Sequence, residues 1–504
     1  MNVLPGGIHL IDLVYAGLDK TMASYLITGQ DGRFMLIETG PYALLPQLEA
    51  SIAQLGLDIA NLTDILLTHI HLDHSGNAGA LARRSGANVW VHEAGAAFLV
   101  DPSRLISSSR RVYGDSFEEL MKGAEPVPEE NLIEIQDSDE FELHGRRFRV
   151  LHTPGHSGSH VSFLMDDRDL FTGDSGGIRF PGCDLVKPAT APPEIDLDAW
   201  LDSIRRMQEL NAERILPTHF GPFGDVKRHF RELRRQNARW GSAILTGLRN
   251  GEDDEQLVGR ITELAERQMA EAGLSDLDRE RYRVSSNHTM TAAGLARYWR
   301  KLQPQRLEDV SFPLERPARI AVLASGRGSN FAALADAYPA GDPLASIELL
   351  VSDKAEAGAM AIAADHVIPA EHVPFTSRAE FEAELELLLS ERHIDLICLA
   401  GFMRLLSAGF VERWQGRLLN IHPSLLPDFR GLNPQQQALD AGAAESGCSV
   451  HFVDAGVDTG PVIQQSRVAV KDGDDADSLS ERIREHEHTL YPQAVRRVLR
   501  GEFA

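Results

Sequence analysis

The chain has 504 residues, 43% hydrophobic and 25% charged, the composition of a soluble globular protein too long for one ordinary core. Its 50 basic and 74 acidic residues give a formal charge of −24, which disfavours broad binding to nucleic acid or anionic membrane but not to small phosphorylated substrates. The opening MNVLPGGIHLIDLVYAG has no basic stretch ahead of a long apolar one, and no run of roughly 18 apolar residues occurs, so neither a signal peptide nor a membrane span is expected.

Short β-type runs come first: YLIT at 25–28, FMLIET at 34–39, ILLTH at 65–69 and VWVHE at 89–93. FRVLHT (148–153), VSFLM (161–165) and LFTGD (170–174) follow. Helical patterns such as LPQLEASIAQLG and DAWLDSIRRMQELN lie between them, predicting a layered α/β sandwich over residues 1–225. Residues 226–302 turn helical, with ELRRQNARWGSAILTGLRN and EQLVGRITELAERQMAEAG, and read as a cap on the same half. KLQPQRLEDVSFPLERPAR (301–319) holds three prolines and no period, which places a linker at 303–318. Strand–helix alternation then returns over 319–504 with RIAVLAS, SIELLVS, AGAMAIAAD and DLICLAG, predicting a doubly wound, mostly parallel sheet. No internal repeat joins the halves.

THIHLDHSGNAG (68–79) places His69, His71, Asp73 and His74 within six positions. Imidazole and carboxylate together suit zinc, manganese or iron, and four residues cannot fill two metal shells, so later partners are expected. TPGHSGSH offers His156, FTGD offers Asp174 and ILPTHFGP offers His219, each where a loop leaves a strand. A lone histidine is more often a surface or satisfied core residue, but the whole set in order is not. In this order the first ~300 residues resemble the metallo-β-lactamase superfamily. The resemblance implies an αββα sandwich with two divalent metal ions, zinc first, then iron or manganese. It implies His69, His71 and His156 at one ion, Asp73, His74 and His219 at the other, and Asp174 bridging. Where the family often has Asp before Thr-Gly on an early strand, this chain has Glu38. Two cations would activate water for hydrolysis. The helical cap resembles the glyoxalase II-like branch, which favours a thioester or other small ester. In RYRVSSNHTMTAAG, Arg283, Asn287 and His288 are candidates to face the metals, against the plainer reading of a helix-capping loop.

In the second half, GRGSNF (326–331) follows a strand and opens a helix, where glycines and free N–H groups suit a phosphate. A dinucleotide reading wants a third glycine where Phe331 stands, although Asp353 ends the next strand at a tolerable distance. AGFMRLLS (400–407), NIHPSLLPDFRG (420–431), SVHFVDAGVDTGPVI (449–463) and EHEHTLYP (485–492) complete a set that resembles phosphoribosylglycinamide formyltransferase over about 319–503. A primary amine attacks the formyl carbon of 10-formyltetrahydrofolate, and Asn420 and a protonated His422 can donate to the developing oxyanion. Asp458 can hold the imidazole and relay the amine proton. The resemblance further implies that Gly326, Arg327, Gly328, Ser329 and Asn330 cradle a ribose phosphate and Glu487 contacts the acceptor. It also places Met403, Arg404, Leu405 and Leu406 along the folate pocket, with plain core packing the competing reading of the apolar three.

Gln435 replaces a loop histidine usual in that family, and FRG-N-P brings in amino-sugar or charged-tRNA formyltransferases as alternative relatives; the acidic chain argues against tRNA. Cys183, Cys398 and Cys448 are far apart, which suits a reducing interior, so the cytoplasm is the expected location, and Cys448 is expected to fill space. The sequence thus reads as a bifunctional enzyme. The competing readings make the first half a regulatory or binding module, or the second a folate or nucleotide sensor. Small-molecule substrates are the expected partners, without nucleic acid or membrane, and a homo-oligomer stays open.

Overall fold

In the computed structural model, which describes residues 2–29, 32–190, 194–302, 312, 314 and 316–502, the β-type runs of the first half build two sheets. The first holds β1 (Asn2–Leu4), β2 (Ile8–Asp12), β3 (Ala23–Thr28), β4 (Phe34–Ile37), β5 (Leu62–Leu66), β6 (Asn88–His92) and β7 (Leu132–Ile135), side by side in chain order. It is antiparallel from β1 to β4 and parallel from β4 to β7. Side-chain alternation in β4 sends Met35 and Ile37 into one core and Phe34 and Leu36 into another, so both faces are covered. The second sheet runs β12-β11-β10-β9-β8, from β8 (Glu140–Leu143), β9 (Arg146–His152), β10 (Val161–Met165), β11 (Asp169–Phe171) and β12 (Arg214–Leu216). Tyr25 of the first sheet meets Phe171 of the second edge to face, ring centroids 5.3 Å apart. Outside the second sheet, helix Leu197–Glu209 buries Trp200, Ile204 and Met207 at i, i+4 and i+7, Met207 touching Ser162 of β10. Helix, sheet, sheet, helix is the αββα sandwich.

The cap follows as helices Val226–Arg249, Asp254–Glu271, Asp276–Ser285 and His288–Arg297. Asp253 and Gln256 close a capping box at the start of the second, and Trp240 donates to Gln268 between the first two (3.0 Å). The chain divides into two compact units, Met1–Glu308 and Asp309–Ala504, so the cap belongs with the sandwich. Of the expected linker at 303–318, residues 303–311, 313 and 315 lie outside the described residues.

The second unit has one sheet, ordered β15-β14-β13-β16-β17-β18-β19. Its strands are β13 (Ala318–Leu323), β14 (Ala345–Ser352), β15 (Ala370–His372), β16 (Leu396–Leu399), β17 (Leu418–His422), β18 (Glu445–Phe452) and β19 (Val462–Ala469). The first five are parallel, and β18 and β19 are antiparallel additions at one edge. In β16, Leu396 and Cys398 enter one core while Ile397 and Leu399 enter the other, the two-sided burial of a central parallel strand. The order reverses between β13 and β16, which opens a crevice at their carboxyl ends. Among the described residues no helix is long and apolar enough to cross a membrane.

Beneath the cap lies Lys187, fully buried, its ammonium 5.1 Å from the Trp240 ring and 5.6 Å from Tyr282. Its Nζ has no hydrogen-bond partner among the described residues, and burial pulls it down from 10.5 to about 7. From there up to its ordinary value the unfolded chain binds a proton that the folded chain does not, so stability rises with pH across that window. The burial penalty is therefore largest below pH ~7, where a charged amine must stay dry. Lys187→Met should raise the thermal midpoint of the first unit at pH 6, with the gain shrinking toward pH 10. A midpoint at or below that of the parent at pH 6 would show that Lys187 is stabilising as it stands.

Candidate active sites

In the first unit, β5 ends at Leu66 and the chain turns over the sheet rim, where His71 starts the short helix Leu72–Ser75. That turn presents Asp73 and His74 while His69 and His71 stand ahead of it. Two groups result: His69, His71 and His156 in one, Asp73, His74, Asp174 and His219 in the other, the ligating atoms of each within 4.8 Å of one another. All seven residues expected from the sequence are thus brought together. Asp174 touches both groups, Oδ2 lying 3.5 Å from His156 and Oδ1 3.2 Å from His74 and 3.5 Å from His219. Gly173 before it has φ +47°, and a Cβ there would fall 2.3 Å from the Thr68 hydroxyl, so the approach requires glycine.

The outer nitrogens of these rings are tied down. His74 Nδ1 is 3.0 Å from Glu38, whose other oxygen accepts from the Thr68 N–H (3.0 Å). His156 Nδ1 donates to the Ala189 carbonyl and His219 Nδ1 to that of Thr21. Their Nε2 atoms are left as the inward-facing ligands. His71 Nδ1 lies 2.9 Å from His156 Nε2 and 3.0 Å from His69 Nε2. One proton on His71 can satisfy only one of those contacts, so lone pairs are left facing one another. Burial pushes His69, His71 and His156 down, His156 to about 4, keeping the rings neutral. In the other group burial opposes every charge. The carboxylates nevertheless raise His74 and His219, and those rings hold Asp174 well below its ordinary range and Asp73 at about 2. His74 Nε2 and Asp174 Oδ1, both buried, make no hydrogen bond among the described residues. Converging lone pairs and buried atoms without partners fit a bound cation in each group.

The ligand set opens into a cavity of about 610 Å³. Asn287 lines it yet also caps helix His288–Arg297, accepting from the Thr289 and Met290 N–H groups. Arg283 instead pairs with Glu266 at 2.9 Å and His288 lies 3.2 Å from the Thr262 hydroxyl, so the capping reading describes this loop. His160, four residues beyond His156, was not singled out from the sequence. It stacks on His69 at 4.9 Å and holds the Thr153 hydroxyl. Its presence within TPGHSGSH was the available signal.

In the second unit, Asn420 stands at the middle and His422 at the end of β17, and Asp458 lies in the loop joining β18 to β19. Asp458 Oδ2 is 3.4 Å from His422 Nδ1 and accepts from the Gly431 N–H (3.0 Å), while Oδ1 lies 3.4 Å from Asn420 Nδ2. Burial alone would raise Asp458, but hydrogen bonds from His451 and Gly431 and the charge of His422 hold it below its ordinary value. His422 Nε2 donates to the Phe429 carbonyl (3.0 Å), and its Nδ1 faces Asp458. His451 carries no local signal in the sequence: its Nδ1 donates to the Phe452 carbonyl (2.8 Å), and its Nε2 lies between Asn420 Nδ2 (3.2 Å) and Asp458 Oδ1 (3.5 Å). Strand register was the missing signal, since His451 pairs directly with Asn420 across β17 and β18.

Gly328, at φ +84°, packs so closely that a Cβ would fall 2.7 Å from Ala359 Cα, and it delivers the chain into helix Ser329–Ala337. Gly326 and Arg327 are exposed on that loop, and Asn330 donates to Glu487 (2.8 Å), whose carboxyl burial raises. The Met403 N–H donates to the Ser325 hydroxyl (3.1 Å), tying together the loops after β13 and β16. Met403 and Leu405 are 71% and 62% exposed, so core packing does not account for them; Leu406 packs against the core. Arg404 pairs with buried Asp353 at 2.7 Å, which occupies that carboxylate. Cys398 and Cys448 are buried with thiols pushed up to about 12, so Cys448 fills space.

Residues 23–219 match the family model described as metallo-beta-lactamase superfamily, and residues 318–495 that described as formyl transferase. The trifunctional purine biosynthetic protein adenosine-3 of Drosophila melanogaster is 49% identical over 192 residues, covering 37% of this chain and 14% of that protein. The chain spans 13–19% of the length of the trifunctional relatives it matches. Phosphoribosylglycinamide formyltransferase of Escherichia coli K12 is 42% identical over 181 residues, 35% of this chain and 84% of that enzyme. A solved metallo-beta-lactamase superfamily protein of Sulfolobus tokodaii is 28% identical, covering 45% of this chain and 85% of that one, with a TM-score of 0.38. Through its second unit, and behind a metallo-beta-lactamase-like unit, the chain belongs to the phosphoribosylglycinamide formyltransferase family.

Proposed function

We propose that the second unit transfers the formyl group of 10-formyltetrahydrofolate to the amine of glycinamide ribonucleotide, a step of purine biosynthesis. The observation that carries this reading is the meeting of Asn420, His422 and Asp458 at the carboxyl end of β17, beside a glycine loop opening a helix. The substrate amine bonds to the formyl carbon, the bond from that carbon to the folate nitrogen breaks, and one proton passes from amine to folate nitrogen. Asn420 and His422 donate to the oxygen on which charge grows, and Asp458 takes the proton in transit. Backbone N–H groups of 326–330 suit the ribose phosphate, Glu487 the acceptor, and exposed Met403 and Leu405 the pterin face of the folate. Small molecules are then the partners, and three buried free cysteines suit a reducing compartment such as the cytoplasm.

The first unit we read as a hydrolase with two divalent ions, zinc best matching a nitrogen-rich group beside a mixed nitrogen and oxygen group. Asp174, with one oxygen toward each group, supports a shared site. When bound, the ions supply Lewis-acid polarisation of a carbonyl and a nucleophilic water at neutral pH. The chain's own part is to fix ring orientation through Glu38, Ala189 and Thr21, so that the Nε2 atoms face inward, and to shelter the bond being cut. A thioester or other small ester is the favoured substrate: water's oxygen bonds to the acyl carbon, and the thiol or alcohol leaves with a proton.

His422→Ala should lower formyl-transfer turnover by about a hundredfold or more while the protein stays folded. Near-normal turnover would remove His422 from the mechanism, and transfer only to an amino sugar would replace the acceptor. Elemental analysis of zinc-loaded protein should approach two equivalents in the parent and fall in Asp174→Ala. A chelator should stop hydrolysis and spare formyl transfer; loss of both activities in folded protein would contradict the division of labour.

A further inference from the structure

The cavity beside the first unit's histidine groups has a second wall built from helix Ser103–Tyr113. Leu105, Ile106 and Tyr113 of that helix pack against the sandwich core, while Arg104 and Arg111 stay exposed. Arg104 and Arg111, both lining the cavity, are seven residues apart, two turns and about 10 Å along one face. Neither forms an ion pair among the described residues, whereas Arg110, one position off that face, is committed to Glu118 at 2.8 Å. In a chain of formal charge −24, two uncommitted guanidiniums facing one cavity are not background. The acidic groups on the walls are already engaged. Asp73 and Asp174 face imidazoles, and Glu194 accepts from the Ser157 hydroxyl (2.8 Å) and the Gly158 N–H (3.1 Å).

Leu105, Phe98 and Met290 supply apolar surface on the same lining.

We propose that the substrate of this hydrolytic site is an anionic acyl ester or thioester, its carboxylate or phosphate held by Arg104 and Arg111. This rests on reading the first unit as a hydrolase. Guanidinium forks suit both anions, and a charged hydrogen bond at the rim of a part-desolvated site is worth about tenfold or more in affinity.

Three acetyl thioesters that share the bond to be cut separate the sources: the N-acetylcysteamine ester (neutral), the mercaptosuccinate ester (carboxylate) and the phosphopantetheine ester (phosphate). Calorimetry on the full chain, stripped of metal so that nothing turns over, should show one anionic ester binding at least about tenfold more tightly than the neutral one. The arm that wins names the anion. The double variant Arg104→Met, Arg111→Met should abolish that preference and leave neutral binding unchanged; these side chains are exposed, so folding is spared. Equal or undetectable binding of all three, or a preference that survives the double variant, overturns the proposal. The zinc-loaded protein is then assayed by thiol release. An anion preference in binding without turnover of any ester would refute the hydrolase reading alone.

Discussion

Asp174 is a buried carboxylate that turns one oxygen to each of two histidine groups, and much of the first unit follows from keeping it there. A charge in that position needs compensation on both sides. His74 and His219 supply it on one side, His156 approaches on the other, and Glu38 in turn braces His74. These partners come from both sheets: Glu38 follows β4, the H-x-H-x-D-H turn follows β5, His156 follows β9 and His219 follows β12. The site therefore exists only when the two sheets are stacked, and the inter-sheet core around Tyr25 and Phe171 is as much part of it as the ligands.

The second unit meets a comparable demand with hydrogen bonds. Asp458 is partly buried, yet the Gly431 N–H, His422 and His451 surround its two oxygens. In the proposed formyl transfer, charge on the formyl oxygen develops only during reaction, so preorganised donors can serve where the proposed hydrolysis calls on cations. The positions depend on an antiparallel addition to a parallel sheet. Pairing of β17 with β18 sets His451 opposite Asn420, and the loop beyond β18 brings in Asp458.

Much of this was legible in the sequence because periodicity and ligand clustering are local signals. The runs at 25–28 and 34–39 fall on β3 and β4, and DAWLDSIRRMQELN on helix Leu197–Glu209. ILLTH predicts a strand through His69, but β5 ends at Leu66, where the chain must leave the sheet to aim its histidines inward. β1, β2 and β7 did not stand out, since their sequences lack the dense apolar pattern of the central strands. Expected folate contacts split for a related reason. Leu406 is packed and Met403 and Leu405 are exposed, a difference that composition cannot express. His160, His451 and Lys187 were missed because each matters through a neighbour distant in the chain or across the sheet: the stacking of His160 on His69, the register opposite Asn420, and the rings of Trp240 and Tyr282.

In helix Ser103–Tyr113, Arg104 and Arg111 are exposed while Leu105, Ile106 and Tyr113 pack against the core, and the ligand turn at 69–74 is locked by close packing and by Glu38. Stability and, on the proposal for Arg104 and Arg111, ligand choice thus rest on separate residues. Exchanges on an exposed helix face typically shift stability by about 0.5 kcal/mol or less, against several for a change in a buried charged network. The wall of the cavity can accordingly drift, lineage by lineage, while the chemistry behind it stays frozen. Related proteins with the same histidines would then diverge first at the positions of Arg104 and Arg111, so that a scaffold of one chemistry can be redirected to new substrates without passing through an unfolded intermediate sequence.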